Sequence, residues 1–296
     1  DFVGTAFRRH PYRFPVIGHR ELFEGLTSDD LQAYWESRYA PANAVVVVVG
    51  AVTPEHVRDL IETHFGTAPM RRVAEAPVAA EPPQLAVRQS RQSGDVNVTR
   101  GLNGYKIPGL AAPDGPALEV LAHILGRGRS SRLWQHLREN DRLVHHIESA
   151  CWNPGETGLL WVNYTADNGR RDAVEAAIDA VIAEATQAPP PAHEVEKAVR
   201  QAIVGEVNAV KTTSGQAARL GAAEVVAGDL GYPALRLERL KAVTPEHVHA
   251  VATRYLRPEH LSRVTLESPA AKPAPITSRK GTALPDFSVV SLPNGA

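Results

Sequence analysis

Cysteine is almost absent from this chain, which carries Cys151 alone among its 296 residues. A single cysteine cannot form an internal disulfide, so a disulfide-built scaffold is excluded. A thiolate cluster for zinc is excluded for the same reason. We interpret Cys151 as a small buried apolar side chain rather than a nucleophile, because free cysteine is among the residue types most often buried.

Excess charge and long apolar runs are lacking as well. The chain has 32 basic and 33 acidic residues, a formal net charge of -1, so no general field draws in nucleic acid. Its longest apolar run is AVVVVVGAV at residues 44–52, well short of the roughly 20 residues that span a bilayer. The sequence therefore predicts neither a nucleic-acid partner nor a membrane span.

The composition that remains is that of a globular protein. Hydrophobic residues make up 43% and charged residues 22% of the chain, close to the average for soluble domains. A length of 296 residues predicts about two domains, each large enough to bury a core.

Residues 27–66 predict the order helix, buried strand, helix. The first helix has a capping signal at Thr27 or Ser28 and acidic residues in its first turn. VVVVVG at residues 45–50 is a β-branched run without alternation, which is typical of a strand covered on both faces. The second helix begins with a capping threonine and a proline and ends at Gly66.

The stretch 67–83 holds several prolines and no apolar periodicity, which predicts an extended linker. After it, short β-type runs and longer helical patterns follow one another. Residues 244–268 repeat the plan of residues 27–49: a capped helix, an Arg-Tyr pair, a proline and a strand. Because strands and helices occur in separate runs, the predicted fold class is α+β, with two lobes of largely antiparallel sheet backed by helices.

Three stretches together resemble the insulinase and pitrilysin family of zinc metallopeptidases, whose closest small relatives include the mitochondrial processing peptidase. They are RHPYRFPVIG at residues 9–18, LTSDDLQAYWESRYAPANAVVVVVG at 26–50 and LGRGRSSRLWQHLREN at 125–140. FSVVSLPNGA at 287–296 is similar to the opening strand of a further unit of that family. The resemblance implies paired lobes that form the two halves of a chamber around unfolded peptide substrates.

The resemblance also implies how the chain is divided. Residues 1–67 would be the C-terminal part of a first, incomplete lobe, 68–84 a linker, 85–268 the second lobe, 269–286 another linker and 287–296 the start of a following unit. On this interpretation we expect the chain to be a fragment of a longer tandem polypeptide.

The catalytic signature of the family is H-x-x-E-H, in which two histidines bind zinc and the glutamate activates a water. None of the 12 histidines stands in this pattern. The nearest look-alikes, which lack a histidine three residues before the glutamate, are Glu55-His56, Glu246-His247 and Glu259-His260. The resemblance therefore places the zinc ligands of the intact parent upstream of Asp1, and we expect this chain alone to bind no cofactor and to be inactive.

A second functional element of the family is an arginine followed seven residues later by a tyrosine, which hold substrate and stabilise the oxyanion. The resemblance puts the arginine at Arg138, and His145 stands where the tyrosine would be. A neutral imidazole donates one hydrogen bond and changes charge near neutral pH, unlike a guanidinium. Two interpretations stay open: Arg138 and His145 contact substrate, or they are structural remnants. A metal site at His145 and His146 is disfavoured, because neighbours on a strand point to opposite faces.

Two functions follow from the resemblance. In the first, the chain is part of a zinc metalloendopeptidase and supplies chamber wall and substrate contacts, with a peptide or unfolded protein as substrate and a second half or subunit as partner. In the second, it is a non-catalytic scaffold or partner half for a catalytic subunit, as the altered arginine–tyrosine pair suggests. By analogy with tandem relatives, a bacterial cell envelope (periplasm) is favoured over the cytoplasm.

Overall fold

A computed structural model describes residues 2–74 and 77–268. The strands among these residues form one five-stranded sheet in the order β1-β5-β2-β4-β3. The pair β1 and β5 is parallel, and the other three pairs are antiparallel. The predicted α+β class with a largely antiparallel sheet is therefore confirmed. The strands are β1 (Arg88–Ser93), β2 (Thr99–Pro108), β3 (His146–Trp152), β4 (Thr157–Ala166) and β5 (Leu261–Glu267).

Helices make up most of the remaining regular structure. The α-helices are α1 (Phe2–Ala6), α2 (Arg20–Glu24), α3 (Ser28–Arg38), α4 (Pro54–Phe65), α5 (Gly115–Gly126), α6 (Arg171–Gln187), α7 (Ala192–Ala209), α8 (Thr213–Ala222), α9 (Tyr232–Lys241) and α10 (Pro245–Tyr255). Two stretches are π-helical, Trp134–Asn140 and Ala223–Ala227. Short 3-10 turns are found at Pro11–Arg13, Pro41–Asn43 and Pro258–His260.

Threonine caps start α3, α4, α8 and α10, and the sequence predicts those of α3, α4 and α10. Thr27 forms a capping box with Asp30 at the start of α3, and Thr53 accepts a hydrogen bond from the N–H of His56 at the start of α4. Thr244 caps α10 in the same way. Each cap satisfies an N–H group that has no partner inside the helix.

One face of the sheet, here called the helical face, carries the main core. Helices α5, α6 and α10 contact the strands of this face, and α7 packs on α5. Alternation along β2 and β4 sends every second side chain into the core. The largest fully buried side chains of this core are Leu118, Leu121, Leu125, Leu133, Leu137, Ile147, Leu160, Tyr164, Ile178 and Leu240.

The opposite face, here called the open face, is covered at one end by the N-terminal segment. Helix α1 packs against β5, β1 and β2, and Phe7 is buried with Leu159 beside Trp152. A Cβ at Gly104 would lie 2.5 Å from the ring of Phe2, so this close approach requires glycine. A short piece of the predicted first lobe thus packs on the sheet of the second.

The prediction of a strand at residues 45–50 is wrong. No strand is present between residues 2 and 74, and the side chains of Val46 and Val48 are 57% and 51% exposed. A strand forms only when a neighbouring strand accepts and donates its backbone hydrogen bonds, and none of the described strands lies beside this segment. The predicted repeat is therefore only partly present. Residues 244–268 form α10 and β5, whereas residues 27–49 form α3 and no strand.

Between α4 and β1 the described residues contain no helix or strand. The division of the chain at residues 67, 84 and 268 stays a prediction. The second linker at 269–286 and the following unit at 287–296 lie outside the described residues.

Candidate functional site

The predicted site lies where a π-helix leads into an edge strand of the sheet. The spacing of apolar residues in 130–140, after a capping signal at Ser130 or Ser131, predicts an ordinary helix. The structure has a π-helix at Trp134–Asn140 instead. The hydroxyl of Ser131 donates to the carbonyl of Gly128 at 2.7 Å instead of capping the helix. The N–H of Leu143 then donates to the carbonyl of Leu137 at 2.8 Å, which ties the wide turn to the approach of β3. π-Helical turns are rare and are frequently found at functional sites.

Arg138 and His145 flank this connection. Arg138 lies exposed in the π-helix, and His145 lies exposed directly before β3. The backbone N–H of His145 donates to the carbonyl of Thr165 at 2.7 Å, and its Nε2 lies 2.8 Å from Oδ1 of Asp167. Within residues 2–74 and 77–268, no hydrogen bond or ion pair joins the side chains of Arg138 and His145. Arg138 is thus available to a partner, while the imidazole is oriented by a carboxylate.

His146 has different neighbours from His145. Its Nε2 lies 3.6 Å from Oε2 of Glu148, and its ring meets that of Trp134 edge-on, with centroids 6.2 Å apart. The two histidines therefore face separate carboxylates. No three histidine, cysteine or acidic side chains come together as metal ligands in the part of the chain that the structure describes. This donor set does not fit a catalytic zinc, which takes three protein ligands.

Cys151 lies inside the fold on the helical side of β3. Its thiol is 3.5 Å from the carbonyl oxygen of Leu118, and burial raises its pKa well above the usual range. A thiol that stays protonated is a poor nucleophile and a poor metal ligand.

A polar cavity of about 180 Å³ lies between α5, β3 and α9. Arg236 is held there between the carboxylates of Glu119 and Glu206. Burial, helped by the charge of Arg127, lowers the pKa of the lining residue His123 to about 4. Sequence analysis does not predict this cavity, because its residues come from helices and a strand that only the fold brings together.

Across the described residues, no helix combines the length and apolar character that crossing a bilayer requires.

The described residues thus form an α+β lobe, and no fitting set of metal ligands is found among them. Residues 25–202 match the family described as the Peptidase M16 inactive domain. The chain therefore belongs to the peptidase M16 family, which confirms the resemblance found in the sequence.

The relatives agree with this assignment. An uncharacterized zinc protease of Mycobacterium leprae is 29% identical over 257 residues, which cover 86% of this chain and 58% of that protein. The mitochondrial-processing peptidase subunit beta of Lentinula edodes is 23% identical over 266 residues, covering 85% and 57%. The crystal structure of a protease from Helicobacter pylori superimposes with a TM-score of 0.83 at 24% identity over 90% of this chain and 65% of that one. The chain thus spans less than two thirds of the length of each.

Proposed function

We propose that this chain is a non-catalytic part of a zinc metalloendopeptidase, in which it forms chamber wall and contacts the peptide substrate. The observation that carries the proposal is the match of residues 25–202 to an inactive peptidase domain in a chain whose described residues offer no fitting zinc ligands. The zinc and the water that it activates belong to another part of the intact protein.

The proposed substrate surface is the outer edge of β3. This strand is the last in the sheet order, so its outer backbone groups have no strand partner among the described residues. An extended peptide can add to such an edge through main-chain hydrogen bonds. Arg138 lies in the π-helix that contacts β3, and its guanidinium has no hydrogen bond or ion pair within the described residues. A guanidinium suits the carbonyl oxygens of a peptide or its carboxyl terminus. His145, held by Asp167, offers a second donor there.

A second surface supports the need for a partner half. Tyr34 and Trp35 of α3 are 62% and 56% exposed. In the segment after α3, the exposed valines are Val45, Val46 and Val48. Folded proteins rarely leave so much apolar surface in water, and such patches mark contact sites. We propose that the rest of the intact peptidase covers this surface and pairs with residues 44–49 as a strand.

The contact role of Arg138 is tested by kinetics on the intact protein. We expect Arg138→Ala to lower kcat/KM for an unfolded peptide by about tenfold, since one charge-assisted hydrogen bond is lost. Arg129→Ala, which removes another exposed arginine from the preceding turn, is the matched control and should change it less than about twofold. Equal values for the two variants would contradict the contact role.

The rival function, a scaffold for a separate catalytic subunit, is favoured by His145 in the place of the family's tyrosine. The zinc content of the intact protein after dialysis distinguishes the scaffold function from the peptidase function. A zinc ion bound by the intact chain, together with peptide cleavage, supports the peptidase. A folded protein that holds no zinc and cleaves only after a second subunit is added supports the scaffold.

A further inference from the structure

Glu81, a residue of the predicted linker, carries the most heavily bonded carboxylate of the described chain. Its side chain is only 5% exposed. Backbone N–H groups of three consecutive residues donate to it: Arg8 at 2.9 and 3.0 Å, Arg9 at 2.8 Å and His10 at 3.1 Å. Successive N–H groups that converge on one anion form a nest, a geometry suited to carboxylates and phosphates.

Two cations from the sheet complete this cradle. Nζ of Lys106 on β2 lies 2.8 Å from Oε1 of Glu81, and Nη1 of Arg88 on β1 lies 3.3 Å from the same oxygen. Arg88 also donates to the carbonyl of Ala6 at 2.6 Å, and the ammonium of Lys106 lies 5.7 Å from the ring centre of Phe7. The same two side chains therefore bind both the linker and the N-terminal segment.

The charges around Glu81 agree with a permanently ionised carboxylate. Burial opposes its ionisation, but the hydrogen bonds from Lys106 and from the three backbone N–H groups lower its pKa to about 2. Burial also lowers the pKa of Lys106, which its bond to Glu81 partly offsets. The ionisable side chains that face the site are those of Arg8, Lys106 and Arg88, and Glu81 is the acid that balances them.

We propose that Glu81 is a lock between the lobes: its carboxylate holds residues 7–14 on the open face of the sheet. The linker is thus bound to the sheet and to the N-terminal segment through Glu81, and does more than connect two parts of the chain. It is bound again three residues later, where the amide of Gln84 donates to the carbonyl of Leu261 at 2.8 Å. Glu81 thus adds a polar attachment at residues 8–10 to the apolar packing of α1 and Phe7, and this holds whether or not the intact protein is a peptidase.

Hydrogen–deuterium exchange of the full chain tests the lock without any activity assay. Among the described residues, the backbone amides of residues 8–10 donate to Glu81 and to no other acceptor. We therefore expect Glu81→Gln to speed exchange in peptides covering 7–14 by about tenfold or more. Peptides of α5 should change less than about twofold. The matched control is Glu24→Gln, which removes an exposed carboxylate paired with Arg20 and should leave residues 7–14 as in the wild type.

A second variant tests the chemistry of the cradle. Glu81→Ala leaves room for a small anion, and acetate should restore protection of residues 8–10, whereas chloride at the same ionic strength should restore less. Wild-type exchange rates at residues 7–14 in Glu81→Gln would overturn the proposal. If Glu81→Gln also loses protection in α5, exchange is measured in Lys106→Gln instead. Wild-type exchange rates at residues 7–14 in Lys106→Gln would equally overturn the proposal.

Discussion

The guanidinium of Arg263 lies 3.1 Å from the carboxylate of Glu175, in the layer between β5 and α6. Both side chains are nearly buried, at 10% and 8% exposure. Arg263 also donates to Oδ1 of Asn103 at 3.1 Å and to Oδ1 of Asp179 at 2.6 Å. A second donor to Glu175 is the hydroxyl of Thr265, at 3.0 Å. A buried charge is tolerated only when it is paired and hydrogen-bonded in this manner.

Removing Arg263 should therefore destabilise the fold strongly. Arg263→Met leaves Glu175 charged and without its cation, and we expect a loss of about 3–5 kcal/mol in the free energy of unfolding, measured in urea. Arg254→Met is the control, because Arg254 pairs with Asp114 at 70% exposure, and such surface pairs contribute at most about 1 kcal/mol. Similar losses in the two variants would mean that Arg263 contributes no more than a surface charge.

A glycine sets the distance between α5 and β3. A Cβ at Gly126 would lie 2.2 Å from the backbone nitrogen of Ser149, so Gly126→Ala must push helix and strand apart, at a cost of about 1–3 kcal/mol. Gly205, inside α7, has open space around its Cβ position, and Gly205→Ala should stabilise the protein by about 0.5–1 kcal/mol through helix propensity. Thermal unfolding of both variants measures whether Gly126→Ala lowers the stability of the protein and Gly205→Ala raises it.

Arg142 has φ of 52°, a left-handed conformation that side chains disfavour. We expect Arg142→Gly to stabilise the protein by about 0.5–1 kcal/mol, because the relief of strain exceeds the entropy that glycine adds to the unfolded chain. The contact that Arg170 makes with the carbonyl of Arg142 uses the backbone and survives the change. Asp141→Gly, at φ of -87°, is the control and should destabilise. If Arg142→Gly lowers the free energy of unfolding, the left-handed conformation of Arg142 is not strained as we expect.

His123 should make stability depend on pH in the mildly acidic range. Its pKa falls from 6.5 to about 4 in the fold because burial, and then the charge of Arg127, disfavour the protonated imidazole. The folded protein therefore binds fewer protons than the unfolded chain between these values. Stability should be fully present above pH 6.5 and decline, on the order of 3 kcal/mol, as pH falls to 4.

The variant His123→Gln should flatten that decline. Urea unfolding at pH 7, 5.5 and 4.5 measures it, and His193→Gln, which changes an exposed histidine of α7, is the matched control. If wild type and His123→Gln show the same slope, the pH dependence arises elsewhere.

The helices were the predictable part of this fold, since caps such as Thr27 and Thr53 and the stop at Gly66 act locally. The strand at residues 45–50 was mispredicted because β-branched composition measures suitability for a sheet, whereas pairing depends on strands far away in sequence. The π-helical turn around Arg138 has no local signature either. The role of Glu81 is not predictable from the sequence, because its partners lie more than 70 residues upstream or on separate strands. Glu81 is one of two acids among the alanines and prolines of that stretch, and nothing local distinguishes it from the other.

The placement of α1 has a practical consequence for anyone who divides this chain. A cut anywhere in residues 68–84 would separate α1 and Phe7 from Leu159 and Trp152, the surface that they cover. The remaining fragment would expose Leu159 and Trp152, an apolar surface that favours aggregation. It would also lose the backbone N–H groups of residues 8–10 that bind Glu81. We therefore expect a fragment of residues 85–268 to be stable only when residues 2–14 are supplied with it.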